Sequence, residues 1–287
     1  MTATDLSFEL FPFRNPAKEG AFLAGVARLQ AWAPLFISLT YGAGGSGRQD
    51  SERQVALLQQ QGVPDLAGHL TAAGNSRERI ARLAADWRRG GMRRIVALRG
   101  DAGAEQDDGY ACAAELTAAL KAIAPFEISV AGYPEGHPKS ASAEAEMAHL
   151  KRKVENGASR VITQFFFDAD VFLRFRDSCR RHGVAAPVVP GILPVADIGQ
   201  VRRFSAACGA TVPDWLEARH EGLDSPAAVF ETAVETAARL MESLQREGVS
   251  HIHLYTLNRF SMTEAICRAL GRTPAPAHTD NTERKVA

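Results

Sequence analysis

RIVALRGD, residues 94–101, is a short apolar run rich in β-forming residues that ends in a polar tail containing glycine. Seven other runs have a similar design, and segments with helical periodicity separate them. Eight strand–helix alternations within roughly 250 residues are typical of a (β/α)8 barrel. We therefore predict the α/β class and a TIM barrel with parallel strands. In chain order, the eight runs are SFELFPFR (7–14), FISLTYGAGG (36–45), LAGHLT (66–71), RIVALRGD (94–101), ISVAGYPEGHP (128–138), RVITQFFFD (160–168), VVPGILP (188–194) and IHLYTLNR (252–259).

The segments between the runs predict the helices of a single domain over 1–272. The interval between the seventh and eighth runs, 195–250, has room for two or three helices, so we expect an extra helix there. Beyond Gly271 the periodicity ends, and we predict a disordered tail over 273–287. The helices with the clearest signals are predicted at 16–32, 76–90, 141–156 and 168–182.

The bulk composition excludes several classes of protein. Lys plus Arg and Asp plus Glu both number 33, so the formal charge is zero and neither nucleic acid nor an anionic membrane is an expected partner. No apolar stretch approaches the ~20 residues that cross a bilayer, and no leader opens the chain. We expect a cytoplasmic protein. The four cysteines are scattered without a CxxC motif, which favours small buried hydrophobes over a metal or redox role.

Glu9 is the most unusual residue of the first run, because it is a carboxylate among Phe8, Leu10 and Phe11. In a barrel, the chemistry lies at the carboxyl ends of the strands, where this residue is expected. Desolvation would raise its pKa and let it donate a proton near neutral pH. The alternative is a structural ion pair with a nearby Arg or Lys.

Other tails give weaker signals. The glycine of 99–101 allows a ligand to approach the backbone, and the Asp that follows could offset positive charge; a turn with a salt bridge explains these residues equally well. The glycine-rich 41–47 resembles a phosphate cradle but lacks the Walker lysine, so a mobile loop is the better interpretation. The basic run 151–153 is either a solvated helix face or a partner for pyrophosphate. Gln164, before three phenylalanines, suits a flat heterocycle.

The histidines give no support for metal catalysis. No HExxH motif occurs, and His251 and His253 begin the eighth run, at the end of a barrel opposite to the usual site. We therefore predict no metal site. Neither a GxSxG elbow nor a Cys/His signature supports nucleophilic hydrolysis.

Nine motifs taken together resemble the bacterial, FAD-dependent 5,10-methylenetetrahydrofolate reductases. The resemblance covers about residues 6–272, and although each motif is modest alone, nine in order are highly specific. The motifs are SFELFP (7–12), TYGA (40–43), HLT (69–71), LRGD (98–101), YPEGHP (133–138), LKRK (150–153), ITQFFF (162–167), PGILP (190–194) and YTLNR (255–259).

This resemblance implies an enzyme in which FAD, reduced by NADH or NADPH as co-substrate, converts 5,10-methylenetetrahydrofolate to 5-methyltetrahydrofolate by a ping-pong mechanism, supplying methyl groups for methionine synthesis. It also implies a homo-oligomer. Glu9 would be the general acid that helps to open the imidazolidine ring to the 5-iminium cation. Asp101 would favour that cation and disfavour anionic reduced flavin.

The resemblance also assigns binding residues. Those implied to hold the flavin are Thr40, Tyr41, Ala43, His69, Arg99, Gly100, Asp101, Ala111, Tyr133, His137, Glu146, His149, Arg152 and Lys153. Those implied to contact folate are Glu9, Gln164, Gln200, Phe204 and Arg259.

Two positions depart from the family pattern, since Glu146 stands where Asp is expected and His149 where Asn is expected. The loop 102–109 is also slightly short, which bears on Ala111. These departures keep open a flavin-independent reductase of the same ancestry. A second alternative is another FAD barrel, such as a proline-dehydrogenase-like enzyme, which would not explain Glu9 together with Gln164. A third is a folate- or flavin-binding module without turnover, against which Glu9 and Asp101 argue.

Overall fold

A computed structural model of the chain describes residues 4–41, 47–100 and 108–275. Nine strands form one sheet in the order β7-β6-β5-β4-β3-β2-β1-β9-β8, with every pairing parallel. The sheet curls into a nearly closed barrel, which confirms the predicted fold class. The strands are β1 (Asp5–Leu10), β2 (Phe36–Leu39), β3 (Leu66–Thr71), β4 (Arg94–Leu98), β5 (Glu127–Gly132), β6 (Ala158–Thr163), β7 (Val188–Val189), β8 (Gly191–Ile192) and β9 (His251–Tyr255).

The seventh predicted run forms two short strands because Pro190 interrupts it. Proline has no backbone N–H to donate to a ladder. Val189 of β7 is in register with Ile162 of β6, whereas Gly191 of β8 is in register with His253 of β9. The carbonyl of Pro190 accepts a hydrogen bond from the His253 N–H at 2.9 Å. The two halves therefore close the barrel as one broken strand.

Helices connect successive strands as predicted, and the four predicted bounds agree with the structure to within a few residues. The interval between β8 and β9 holds three helices, two more than one helix per strand requires. No described helix is long and apolar enough to cross a membrane. The end of the domain at 272 stays a prediction, and 276–287 of the predicted tail lie outside the described residues. The helices are α1 (Glu19–Gln30), α2 (Arg48–Gln60), α3 (Arg77–Arg89), α4 (Ala113–Ile123), α5 (Ala143–Glu155), α6 (Ala169–Arg181), α7 (Ile198–Cys208), α8 (Asp214–His220), α9 (Pro226–Arg246) and α10 (Phe260–Ala269), with a 3-10 turn at Pro16–Lys18.

Alternation along β1 separates two environments. Phe8 and Leu10 are fully buried in the large apolar core that the barrel shares with the surrounding helices. Ser7 and Glu9 point into the barrel, where they meet side chains of β3 and β9. A separate apolar cluster fills part of the interior, formed by Phe36, Ala67, Val96, Ile162 and Val189. The interior is thus partly apolar and partly polar, with the polar side chains beside β1.

The close packing of α1 against α10 can be tested by mutation. A Cβ at Gly25 would lie 2.3 Å from the Phe260 ring, so Gly25→Ala must displace that ring. We expect a loss of about 1–3 kcal/mol in the free energy of unfolding, measured in urea. Gly20→Ala is the matched control on the same helix, because nothing lies within 4 Å of its Cβ. This control is expected to gain roughly 0.5–1 kcal/mol from helix propensity, and equal effects of both changes would contradict the packing argument.

Candidate active site

Glu9 lies near the carboxyl end of β1 and is only 9% exposed. Its Oε2 is 3.5 Å from His69 Nε2 on β3 and 3.6 Å from His253 Nε2 on β9. No Lys or Arg in the described part of the chain forms an ion pair with it. The alternative of a structural ion pair with a Lys or Arg is therefore wrong for these residues, and Glu9 faces two imidazoles instead.

Burial controls the protonation of this group of three side chains. It raises the pKa of the Glu9 carboxyl, with the nearby His69 acting in the opposite direction. Burial lowers the pKa of His69 to about 4, and burial together with Arg160 lowers the pKa of His253 to about 3. Both imidazoles are therefore neutral at pH 7, and Glu9 has an environment that favours its protonated form. The predicted raised pKa is confirmed, although Phe8 and Leu10 face the helices and the interior of the barrel causes the burial.

His253 is the residue that the sequence interpretation misplaced. It is fully buried, and its Nδ1 lies 2.7 Å from Ser7 Oγ while its Nε2 points towards Glu9. β1 and β9 are neighbours, with Ser7 in register with His253 and Glu9 with Tyr255. The first and last strands of any closed barrel are adjacent, so inward alternation on both runs could have predicted this contact.

A cavity of about 750 Å³ opens at the carboxyl ends of the strands, and we call it the mouth cavity. Its volume lies within the usual range for small-molecule and cofactor sites. Gly100 at its rim has a φ of +82°, and a Cβ there would lie 2.8 Å from Thr71, so glycine suits this position. Nine residues of the implied flavin set line the cavity, namely Tyr41, Arg99, Gly100, Ala111, Tyr133, His137, Glu146, His149 and Lys153.

Three other residues of that set, Thr40, His69 and Arg152, are described by the structure and do not line the cavity. Thr40 is buried next to Tyr41, and its Oγ1 has no hydrogen-bond partner within the described part of the chain. His69 contacts Glu9 as described above. Arg152 is exposed and hydrogen-bonds through Nη2 to His149 Nδ1 at 2.7 Å, outside the cavity lining. Ala43 and Asp101 lie outside the described residues, as does most of the glycine-rich loop.

The lining of the mouth cavity combines aromatic surface with positive charge. The rings of Tyr133 and His137 meet edge to face with centroids 4.6 Å apart, and burial lowers the pKa of His137. Lys153 donates from Nζ to the carbonyl of Ala131 at 2.9 Å, and burial lowers its pKa although Glu146 opposes this effect. Arg48, Arg99 and Lys139 add further cations. Such a site favours a ligand that has a flat ring and negative charge.

One wall of the mouth cavity is held by a network around Tyr41. The Tyr41 hydroxyl donates to Glu52 Oε1 at 2.7 Å, and Arg79 Nη2 donates to the same oxygen at 2.6 Å. Burial, with the carboxylate of Glu52, raises the pKa of Tyr41 to about 12. The ring is therefore a fixed, neutral surface.

None of the five implied folate contacts, Glu9, Gln164, Gln200, Phe204 and Arg259, lines the mouth cavity. Gln164 follows β6 directly, and its Oε1 accepts from the Phe165 N–H at 3.0 Å. Phe204 on α7 packs on the apolar cluster that contains Phe165 and Phe167. Gln164 therefore directly precedes a member of the cluster on which Phe204 packs, whereas Gln200 lies in the first turn of α7 and Arg259 is exposed at the start of α10.

Metal-ligating and redox arrangements are not found in the ranges that the structure covers. No group of three or more His, Cys, Asp or Glu side chains among the described residues could hold a metal ion. The four cysteines are free thiols, of which Cys179 and Cys267 are buried.

Known proteins resemble this chain over nearly its whole length. Residues 2–271 match the family model described as methylenetetrahydrofolate reductase. The 5,10-methylenetetrahydrofolate reductase of Pectobacterium carotovorum subsp. carotovorum is 40% identical over 271 residues, which cover 94% of this chain and 91% of that protein. The enzyme of the same name from Escherichia coli (strain K12) is 39% identical over 273 residues, covering 94% of this chain and 92% of that protein.

More distant proteins share part of the sequence or only the fold. Methylenetetrahydrofolate reductase (NADH) 1 of Arabidopsis thaliana is 32% identical over 273 residues, covering 89% of this chain and 46% of that protein. A Clostridium thermocellum protein, solved with two copies of 5-methyl-5,6,7,8-tetrahydrofolic acid, has a TM-score of 0.62 at 12% identity, with coverage of 94% of this chain and 95% of that one. The last comparison concerns the barrel fold alone. The family match and the bacterial relatives span nearly the whole sequence, and the chain belongs to the methylenetetrahydrofolate reductase family.

Proposed function

We propose that this reductase uses FAD, takes its electrons from NADH or NADPH, and converts 5,10-methylenetetrahydrofolate to 5-methyltetrahydrofolate with Glu9 as the general acid. The observation that carries the proposal is the pairing of two features at one end of the barrel. A cavity lined by nine residues of the implied flavin set opens there, and a buried carboxyl group lies at the end of the adjoining strand.

The chemistry of the mouth cavity fits FAD. Thr40 lies beside Tyr41 outside the cavity lining, and among the described residues its buried Oγ1 has no hydrogen-bond partner, which leaves it open to a polar group of the ligand. Lys153 and Arg99 would hold the pyrophosphate, and Tyr41, Tyr133 and His137 would bind the aromatic parts. When bound, FAD supplies the transfer of hydride between the nicotinamide and the folate. The substitutions Glu146 and His149 both line the cavity and retain polar groups there.

Glu9 would act on the folate before its reduction. Its carboxyl O–H donates a proton to the ring nitrogen that leaves as the imidazolidine opens, so the C–N bond breaks and the 5-iminium cation remains. Burial favours the protonated form of Glu9 by raising its pKa, while His69 opposes this effect. Asp101 would stabilise the cation. Gln164, Gln200, Phe204 and Arg259 would bind the folate.

A direct experiment tests the proposal against its alternatives. The purified protein is expected to show flavin absorbance, to oxidise NADH or NADPH, and to form 5-methyltetrahydrofolate. Folate reduction without bound flavin would instead indicate a flavin-independent reductase. Bound flavin without folate turnover would favour the proline-dehydrogenase-like alternative, and ligand binding without any turnover would favour a binding module.

Lys153 provides a specific test of flavin binding. Lys153→Met removes a cation from the lining of the mouth cavity, and we expect the Kd for FAD to rise by ~10-fold, the loss of about one charge-assisted hydrogen bond. The measurement is a titration of the apoprotein with FAD followed by fluorescence. Lys151→Met is the matched control, because Lys151 lies on the same helix, is exposed and pairs with Glu155 at 3.9 Å. An equal loss in both variants would contradict the assignment.

Steady-state kinetics test whether the nicotinamide cofactor and the folate bind at the same site. If NADH or NADPH and the folate occupy the same place in turn, they cannot bind together, and double-reciprocal plots are expected to be parallel. Intersecting lines would show a ternary complex and would reject a shared site.

A further inference from the structure

A continuous series of polar side chains runs through the barrel from Glu9 towards its amino-terminal end. His253 Nδ1 is 2.7 Å from Ser7 Oγ, and Ser7 Oγ is 2.9 Å from His251 Nε2. His253 Nε2 has no hydrogen-bond partner among the described residues and points at Glu9 Oε2 from 3.6 Å, just beyond hydrogen-bond distance. The four side chains alternate between the adjacent strands β1 and β9. TIM-barrel interiors are dominated by branched apolar residues, so a polar path of this length is unusual.

The surroundings hold the path in one arrangement. Ser7 and His253 are fully buried, and the Phe36 ring stacks on His253 at 5.7 Å and meets His251 edge to face at 5.9 Å. Phe36 belongs to the apolar cluster that fills the neighbouring interior. The hydroxyl of Ser7 contacts both imidazoles and therefore joins them into one hydrogen-bonded unit.

The far end of the path reaches a second cavity, at the opposite end of the barrel from the mouth cavity. This lower cavity has a volume of about 500 Å³, and its lining includes His251, Ser250 and the three arginines Arg160, Arg176 and Arg180 beside apolar residues. His251 itself is half-buried, so its ring connects the lower cavity with the sealed interior.

Burial, with a smaller contribution from nearby charges, keeps both imidazoles of the path neutral. Burial, the neighbouring His253, Arg160 and Arg94 lower the pKa of His251 to about 3. Burial and Arg160 do the same for His253. Glu127 pairs with both arginines at 3.2 Å, while Glu9, His69 and Tyr255 surround the upper end. A neutral imidazole carries one N–H and one bare nitrogen, which allows it to accept a proton on one side while donating on the other.

We propose that His251, Ser7 and His253 form a proton path through which Glu9 exchanges protons with solvent in the lower cavity. Its importance for turnover depends on the proposed role of Glu9 as the acid. The path would let Glu9 regain its proton while ligands cover the mouth.

The proton transfer balances along the path. A water-borne proton binds His251 Nδ1 as the Nε2–H proton passes to Ser7 Oγ, the Ser7 hydroxyl proton passes to His253 Nδ1, and the His253 Nε2–H proton passes to the Glu9 carboxylate. One proton enters, one carboxyl O–H forms, and both rings end neutral in the opposite tautomer. The shift can run in either direction, and it requires no oxidant, reductant or metal.

A rapid pH jump tests the path directly. The purified protein, with and without 5-methyltetrahydrofolate, is shifted from alkaline to mildly acidic pH while the infrared C=O band of protonated Glu9 is followed, the band being assigned by its absence in Glu9→Gln. We expect Ser7→Ala and His251→Phe each to slow the appearance of this band by about 10²-fold when the folate is bound. Ser7→Thr retains a hydroxyl and is expected to restore most of the rate.

Ser129→Ala is the control, because Ser129 is a buried hydroxyl on β5 and lies outside the path. It should leave the rate unchanged. Protonation at the wild-type rate in Ser7→Ala or in His251→Phe would show that protons enter elsewhere and would overturn the proposal. If Ser7→Ala does not fold, the rate measured for His251→Phe decides between the outcomes, because His251 is only half-buried. The infrared signal reports on the carboxyl itself, so a protein that lacked reductase activity would refute the proposed function without affecting this result.

Discussion

Glu9→Gln is expected to slow folate reduction by at least ~10²-fold while NADH or NADPH still reduces the flavin at the normal rate, because only the folate step needs a general acid. Glutamine keeps the size of the side chain and its ability to form hydrogen bonds, but it has no acidic proton to transfer. Stopped-flow absorbance separates the two half-reactions by following the flavin alone. Equal losses in both would show that Glu9 supports the site generally and would reject its role as the acid.

Two control measurements test this interpretation. Burial raises the pKa of Glu9, so the wild-type protein bears a cost at neutral pH that glutamine removes. Glu9→Gln should therefore unfold in urea at a concentration equal to or above that of the wild type, and a large loss of stability would make the kinetic result a folding effect. Glu9→Asp keeps an acid but retracts it from His69 and His253, and it is expected to recover part of the folate activity.

A second large effect is expected from mild acid, because three interior histidines have lowered pKa values. Those of His69, His251 and His253 are about 4, 3 and 3, against an ordinary value of 6.5. Between these limits the unfolded chain binds more protons than the folded protein, so stability falls as the pH is lowered through 6.5 and continues to fall towards 4. Each histidine contributes at most about 1.4 kcal/mol per pH unit.

Glu9 acts in the opposite sense. Its folded-state pKa is raised above 4.5, so the folded protein holds the extra proton and stability rises as the pH is lowered from the raised value to 4.5. The net expectation is a loss of about 2–4 kcal/mol between pH 7 and 5.5, measured by urea unfolding at each pH. His251→Gln should make this loss smaller, and Glu9→Gln should make it larger. A free energy of unfolding that does not change over this range would contradict the burial of uncharged histidines.

The fold could be predicted because each strand has a recognisable pattern in its own short stretch of sequence. Eight apolar runs with polar ends suffice for a parallel barrel, and the number of helices after the seventh strand follows from the length of that interval. The break at Pro190 was visible in the run VVPGILP, yet its consequence depends on two different neighbours, β6 and β9, which no local pattern reveals. The ring of Phe260 against Gly25 is likewise a contact between distant parts of the chain.

The candidate site could be predicted where a residue contradicts its surroundings. A carboxylate in an apolar strand drew attention to Glu9, and the family motifs identified nine residues that line the mouth cavity. The contact of His253 with Glu9 was not predicted, because the position of His253 early in its run indicated the end of the barrel away from the site. The length of the imidazole and the register with Ser7 bring its Nε2 up to Glu9, and both are properties of the closed barrel rather than of the run.

In the sheet, β1 lies between β2 and β9, the strands that come early and last in the chain, and the implied binding residues are distributed in a similar way. The implied flavin residues all fall between 40 and 153, and the implied folate residues other than Glu9 fall between 164 and 259, partly on the additional helix α7. Substitutions in one part of the chain can therefore change the implied contacts with one ligand without changing the residues implied to bind the other. Glu9 lies on β1, outside both ranges, and β1 pairs with β2 on one side and with β9 on the other, so the proposed acid lies between the strands of the two halves.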